Sequence, residues 1–207
     1  MARLIVGTFM SLDGVMQAPG APEEDRDESF DLGGWLVPHF DEVMGAAALE
    51  SHSRAGAFLM GRRSYDLLAA HWPRIGDDDP LAAVLNARPK FLASRTRTSG
   101  DWAETTVLSD AARDVPELKR TLDGEIFVIG SAELVQTLLA HDLIDEFRVW
   151  IFPVVLGRGK RLFGEGARPS GLELVDSVPS TTGVMMQTYR PTGAPAQGSF
   201  ALDPEEG

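Results

Sequence analysis

Residues 125–139 read EIFVIGSAELVQTLL, and the pattern changes period at one point. The run Ile126, Phe127, Val128, Ile129 is continuously apolar, as in a strand buried on both faces. Gly130 and Ser131 interrupt it. Leu134, Val135, Leu138 and Leu139 then recur at helical spacing. The stretch predicts a strand, a tight turn and a helix. The first N–H groups of such a helix have no partner within it and point back at the strand end, where the helix dipole adds partial positive charge. The turn reads either as an anion site, with phosphate its usual guest, or as a plain α/β connection.

A similar turn occurs earlier. Residues 57–60, AFLM, end in Gly61, Arg62, Arg63 and Ser64, which open a second helical segment over 62–70. Between the two turns, residues 90–93, KFLA, end in Ser94, Arg95, Thr96 and Arg97. If these three strands are parallel neighbours, their carboxyl ends share one edge of a sheet, the edge at which open α/β sheets bind ligands. Two helix N-termini and four arginines, Arg62, Arg63, Arg95 and Arg97, then surround one crevice. A pyrophosphate with a further phosphate suits it.

The chain has 207 residues, enough for one domain with a full core. Its net charge of −12 disfavours nucleic acid and anionic membrane surfaces as partners. It has no cysteine, which rules out disulfides, thiolate catalysis and cysteine-based zinc sites. The four histidines, His39, His52, His71 and His141, show no metal-ligand spacing, and no metal is expected. No signal peptide or membrane-length apolar run stands out, so a cytoplasmic protein is expected.

Taken in order, residues 3–10 predict a buried strand, followed by a long irregular stretch to about Trp35 that carries the charge run 23–28. Residues 36–54 predict a helix with Phe40, Val43, Ala47 and Leu49 on its apolar face. A helical piece over 81–86, strands over 88–93 and 105–108, and a helix over 111–122 capped by Asp110 lead to the central strand. Residues 145–155 predict a long strand with Phe147, Val149 and Ile151 on one face and Trp150 and Phe152 on the other. Strands over 171–178 and 184–190 form a hairpin. One domain over 1–190 and a tail over 191–207 are expected. The fold class is α/β: a three-layer α/β/α sandwich whose mixed, mostly parallel sheet ends in antiparallel strands.

Five segments carry a family resemblance: VGTFMSLDGVM (6–16), FLMGRRSYDLL (58–68), FLASRT (91–96), IFVIGSAELVQTLL (126–139) and DEFRVWIFPVVLGRGKRLF (145–163). In this order they resemble the dihydrofolate reductase-like group, including the reductase domain of bacterial riboflavin biosynthesis. The resemblance implies NADPH as hydride donor. Gly61, Arg62, Arg63 and Ser64 match the phosphate-binding helix start. Ser94 and Arg95 match the site for the adenosine ribose and its extra phosphate. Gly130, Ser131, Ala132 and Glu133 match the pyrophosphate turn, where dihydrofolate reductases carry Gly-Gly with a cis peptide and this chain carries Ser131 second.

Asp13 borders the nicotinamide site in the resemblance and reads either as a catalytic acid, orienting substrate or assisting protonation, or as the turn former of an Asp-Gly pair. Asp41 and Glu42 fall near the substrate-binding acid of dihydrofolate reductases or are surface carboxylates. Met10, Leu12, Trp35 and Pro153 are expected to line an apolar substrate pocket facing the nicotinamide. The cluster GRGKR (157–161) reads as a substrate phosphate site or as a turn between strands. Where riboflavin-type reductases tend to a basic residue after Leu-Asp-Gly, this chain has Val15. The expected activity is NADPH-dependent reduction of a small heterocycle, a pterin or a ribosylamino-pyrimidine. The alternatives are a true dihydrofolate reductase and a non-catalytic NADPH-binding module. A homodimer is expected from the apolar strand 147–155.

Overall fold

The structure is a computed structural model that describes residues 1–76, 78–165 and 167–200. Asp77, Gly166 and residues 201–207, the far end of the expected tail, lie outside the described residues. In chain order the elements are β1 (Arg3–Ser11), α1 (Glu42–Ser53), β2 (Ala55–Gly61), α2 (Arg62–His71), α3 (Pro80–Ala87), β3 (Lys90–Ala93), β4 (Thr105–Leu108), α4 (Ala111–Thr121), β5 (Glu125–Ile129), α5 (Ala132–Ala140), β6 (Glu146–Phe152), β7 (Gly171–Pro179) and β8 (Met185–Gly193). One eight-stranded sheet runs in the order β4-β3-β2-β5-β1-β6-β8-β7. The first six strands of that order are parallel, and β8 and β7 are antiparallel.

The apolar runs are buried because helices cover both faces. On one face Leu4, Val6, Leu59 and Val128 pack against Val115 of α4 and Leu134, Val135 and Leu138 of α5. On the other, Ile5, Phe58, Met60 and Phe127 pack with Tyr65 of α2 and Leu85 of α3. Met44 and Ala48 of α1 meet Trp150 and Phe152 there. The strand alternation expected for β6 holds, with Phe147 and Val149 in the first cluster and Trp150 and Phe152 in the last.

The helix predicted over 36–54 is divided. Val37–His39 is a short 3-10 turn containing Pro38, and α1 starts only after Asp41. The Asp41 side chain accepts the Met44 N–H at 2.9 Å, satisfying a helix-start donor. The buried face is Met44 and Ala48, whereas Phe40 and Val43 are exposed. Strand β8 also runs on to Gly193, past the expected start of the tail at residue 191, because Leu172 and Gly171 of β7 still pair with Pro191 and Gly193.

The amino ends of the central strands are closed by buried charge. Arg148, 9% exposed at its side chain, meets Glu125 and Glu146 at 2.8 Å each. Arg3 bridges the same two acids at 2.8 and 3.1 Å, and Arg190 reaches Glu146 at 3.2 Å. Removing one partner of a buried ionic network strands the remaining charges, at a cost of roughly 3–5 kcal/mol. Arg148→Met is therefore expected to lower the thermal unfolding midpoint sharply in a calorimetric scan. A midpoint equal to the parent's would show that the network contributes nothing.

Candidate active site

The two strand–turn–helix units lie side by side, since β2 and β5 are hydrogen-bonded neighbours. Two hydroxyls fasten their turns. The Gly61 N–H donates to Ser131 Oγ at 2.9 Å, and the Ser131 N–H donates to Ser64 Oγ at 3.1 Å. The Ser131 hydroxyl in turn donates to the Ile129 carbonyl at 2.8 Å. Gly130 (φ 53°) and Ser131 (φ 66°) are both left-handed, and the peptide between them is trans. At Gly130 a side chain would be strained; Ser131 accepts the same strain while its hydroxyl and N–H are bonded. The N–H groups of Arg62 and Arg63 at the head of α2, and of Ala132 and Glu133 at the head of α5, have no protein acceptor among the described residues. They are the donors an anion would take.

The arginines divide by partner. Arg63 pairs with Asp25, at 3.3 Å, and with Asp27, both on the long loop after β1. Arg97 is held by Asp66 and Asp101. Arg62 touches Asp66 only at 4.0 Å. Arg95 is exposed at the end of β3 and has no carboxylate partner among the described residues. Arg62 and Arg95 are thus the available cations, and Arg63 and Arg97 are occupied. Ser94 accepts the Arg97 N–H at 3.1 Å and shapes the turn that carries Arg95. Glu133 faces outward in the first turn of α5.

The four residues expected around a substrate are not brought together. Met10 belongs to the α4/α5 face of the sheet, with Phe147, Val149 and Ile151, while Trp35 lies on the α1 face. Leu12 is 67% exposed, and Pro153 is exposed. Alternation along β1 sends Met10 away from the α1 side and Phe9 towards it. An aromatic group forms there at the carboxyl ends of β1 and β6. Phe9 meets Trp150 at 5.1 Å and Phe152 at 6.0 Å, and Trp35 meets Phe152 edge-on at 5.3 Å. His39 adds a further edge contact to Phe152. Phe9 and His39 escaped the sequence reading, although the strand period alone assigns Phe9 to this side.

Asp13 is a tie. Its carboxylate accepts the Leu156 N–H at 3.0 Å, the Gly157 N–H at 2.8 Å and the Ser11 hydroxyl at 2.7 Å, and it pairs with Arg161 at 3.3 Å. Burial pushes this carboxyl up, but those four bonds outweigh burial and hold it well below the usual carboxylate range. It stays ionised and is a poor proton donor. Asp41 is also committed: besides capping α1 it accepts the Thr181 N–H at 2.8 Å and the Thr181 hydroxyl at 2.7 Å.

The GRGKR turn docks the long loop. Lys160 meets Asp25 at 2.6 Å and Asp27 at 2.9 Å, and Arg158 pairs with Asp31. The Gln17 amide donates to the Asp25 and Asp27 carbonyls at 3.2 Å each and its oxygen accepts the Lys160 N–H at 3.0 Å. Gly159 (φ 121°) leaves room for Val15 and Phe30, which a Cβ would meet at 2.7 and 2.9 Å. Asp25 and Asp27, within the charge run 23–28, thus supply two of the loop's anchors. Among the described residues no group of three His, Asp or Glu has metal-holding geometry. None of the helices described is long and apolar enough to cross a membrane.

Residues 2–186 match the family model of the RibD C-terminal domain. The uncharacterized protein YyaP of Bacillus subtilis (strain 168) is 32% identical over 194 residues, 92% of this chain and 96% of its own length. The uncharacterized protein YwjB of the same organism is 29% identical over 173 residues, 83% of this chain and 88% of its own. A putative riboflavin biosynthesis protein from Shewanella sp. PV-4 superposes with TM-score 0.67 at 24% identity, covering 93% of this chain and 99% of that one. Dihydrofolate reductase from Enterococcus faecalis, solved with NADP(H), superposes at TM-score 0.60 and 12% identity over 92% of this chain and 96% of that one. Both likenesses show the dihydrofolate reductase-like fold.

Two outcomes follow from the ties. Asp13→Asn is expected to lower the thermal midpoint and to speed proteolysis within 155–161; loss of turnover with an unchanged midpoint would return Asp13 to a direct chemical role. Asp25→Asn with Asp27→Asn is expected to free the loop, seen as faster cleavage within 20–31 at low salt, where the parent loop is held most firmly. Equal cleavage rates would mean that the ion pairs do not hold it.

Proposed function

The chain belongs to the RibD C-terminal domain family, and from that premise we propose that it is an NADPH-dependent reductase of a small, flat heterocycle. A pterin or a ribosylamino-pyrimidine of the riboflavin-synthesis type is the substrate class. The observation that carries this reading is the pair of helix heads, stitched together by Ser64 and Ser131, whose free N–H groups share an edge with Arg62 and Arg95. These residues fit a dinucleotide with an extra phosphate. Ala132 and Glu133 N–H groups at the Gly130–Ser131 turn would hold the pyrophosphate, and Arg62 and Arg95 would read the further phosphate.

NADPH would supply the hydride. The chain's own work is then to bind, orient and keep water out. Phe9, Trp35, Trp150 and Phe152 offer a flat ring an aromatic wall near the end of β1. Asp13 and Arg161 keep the exit of β1 in register with the segment after β6. The commitment of Asp41 to Thr181 and to the α1 start removes one of the two acids considered for a folate reductase's substrate contact, while Glu42 beside it stays exposed. A cytoplasmic setting, where NADPH is available, goes with this reading.

Titration with NADPH and NADH, followed by intrinsic Trp fluorescence, tests it. The parent protein is expected to prefer NADPH, and Arg62→Ala and Arg95→Ala each to weaken NADPH about tenfold, the scale of one lost charge-assisted contact, while sparing NADH. Equal losses for both dinucleotides would remove the two arginines from phosphate reading. Absence of binding by either would remove the reductase assignment.

A further inference from the structure

Strands β2 and β3 pair with Gly61 opposite Ala93, so Arg62 and Ser94 come first beyond that position and Arg95 comes next. Arg62 opens a helix, whose own hydrogen bonds fix its backbone. Arg95 lies on irregular chain, residues 94–104, which joins the parallel strands β3 and β4. Backbone bonds tie the two ends of that segment: the Ser94 N–H donates to the Leu108 carbonyl and the Lys90 N–H to the Glu104 carbonyl, each at 2.9 Å. Between them side chains hold it, and the chief tie is internal. Tyr65, one turn into α2, is fully buried. Its hydroxyl accepts the Trp102 backbone N–H at 2.7 Å and meets the Thr105 hydroxyl at 3.1 Å, and the Thr105 hydroxyl donates to the Trp102 carbonyl at 2.7 Å. With the Thr105 proton spent on that carbonyl, Tyr65 donates to Thr105, and the three bonds close a ring. Gly100 presses on it: a Cβ there would stand 2.5 Å from the Tyr65 hydroxyl oxygen and 2.4 Å from Thr105 Cγ2. Trp102 is held at its other end too. Its indole N–H donates to Asn86 Oδ1 at 2.9 Å, and the buried Lys90 ammonium lies 4.8 Å from its ring centre. Outside, Asp66, the next residue of α2, pairs with Arg97 of the same segment. That pair is partly exposed and open to screening by salt, whereas the ring of bonds is enclosed.

We infer that Tyr65 is a positioning residue: it fixes the segment that carries Arg95 against the helix head that carries Arg62, and so sets the preference for a dinucleotide with an extra phosphate. The inference rests on the reductase reading above. Tyr65 is enclosed and acts through Arg95. A cation on a long side chain serves an anion best when its backbone is already in place, because a loop ordered at the moment of binding costs affinity. That cost falls only on a ligand that uses Arg95. The pyrophosphate, common to both dinucleotides, would be taken at the head of α5, which follows β5 on the other side of β2 from β3. Loosening the segment therefore separates the two cofactors and does not weaken both.

Calorimetric titration of the full chain with NADPH and with NADH tests this. Tyr65→Phe is expected to weaken NADPH about fivefold, the scale of one net hydrogen bond, and to leave NADH within about twofold of the parent. In the Arg95→Ala variant the same substitution is expected to cost nothing further, since the two residues act as one unit. Thr105→Val opens the ring from its other side and is expected to repeat the pattern, which decides the matter should Tyr65→Phe fail to fold. Hydrogen exchange over 94–104 is expected to quicken in either variant. Equal losses for both dinucleotides, an undiminished NADPH preference, a further loss in the Arg95→Ala variant, or exchange over 94–104 at the parent's rate overturns the inference and leaves the reductase reading in place. A parent that binds neither dinucleotide removes both.

Discussion

The edge at which β2 and β5 run into their helices depends on two serine hydroxyls. Ser131 Oγ accepts from the head of α2 and donates to the last carbonyl of β5, while Ser64 Oγ accepts from the turn ahead of α5. Each bond is worth about 1 kcal/mol net. Together they offset the left-handed backbone at Ser131, a conformation that costs a non-glycine residue on the order of 1 kcal/mol. They also fix the spacing between two helix heads. Parallel strands bring such heads to one edge in any fold of this class; hydrogen bonds between the turns decide whether their free donors converge.

Charge is the second organiser. An acidic chain that gathers cations at one edge must stop its own carboxylates from quenching all of them. Here the long loop takes Arg63, Arg158 and Lys160, and α2 shares Arg97 with Asp101. Arg95 is left without an acid. In the proposed reading, recognition of an anion therefore rests on fewer groups than the sequence displays.

Much of the architecture was legible in the chain because burial on both faces leaves unbroken apolar runs. The strands at residues 57–60, 90–93 and 126–129 were readable for that reason, and the helices that follow Gly61 and Ser131 were readable from the turns that open them. The cap Asp110 sits where local chemistry places it. What stayed hidden depends on partners far along the sequence. Asp41 starts α1 in concert with Thr181, 140 residues away, and Asp25 finds Lys160 at a separation of 135. Strand alternation separates Met10 from Phe9, but it could not show that Phe9 and Phe152 close on Trp35, because that depends on how the loop returns.

The central place of β1 bears on how the protein is made. Its two neighbours are β5 and β6, with Arg3 opposite Glu125 and Ile5 opposite Glu146. A growing chain therefore carries β1 with both edges unpaired until more than half of the sequence has been synthesised. Pairings of such long range are slow, and open strand edges are sticky meanwhile. Shielding of nascent β1, by a chaperone or by early collapse onto α1 and β2, is thus a requirement set by strand order alone.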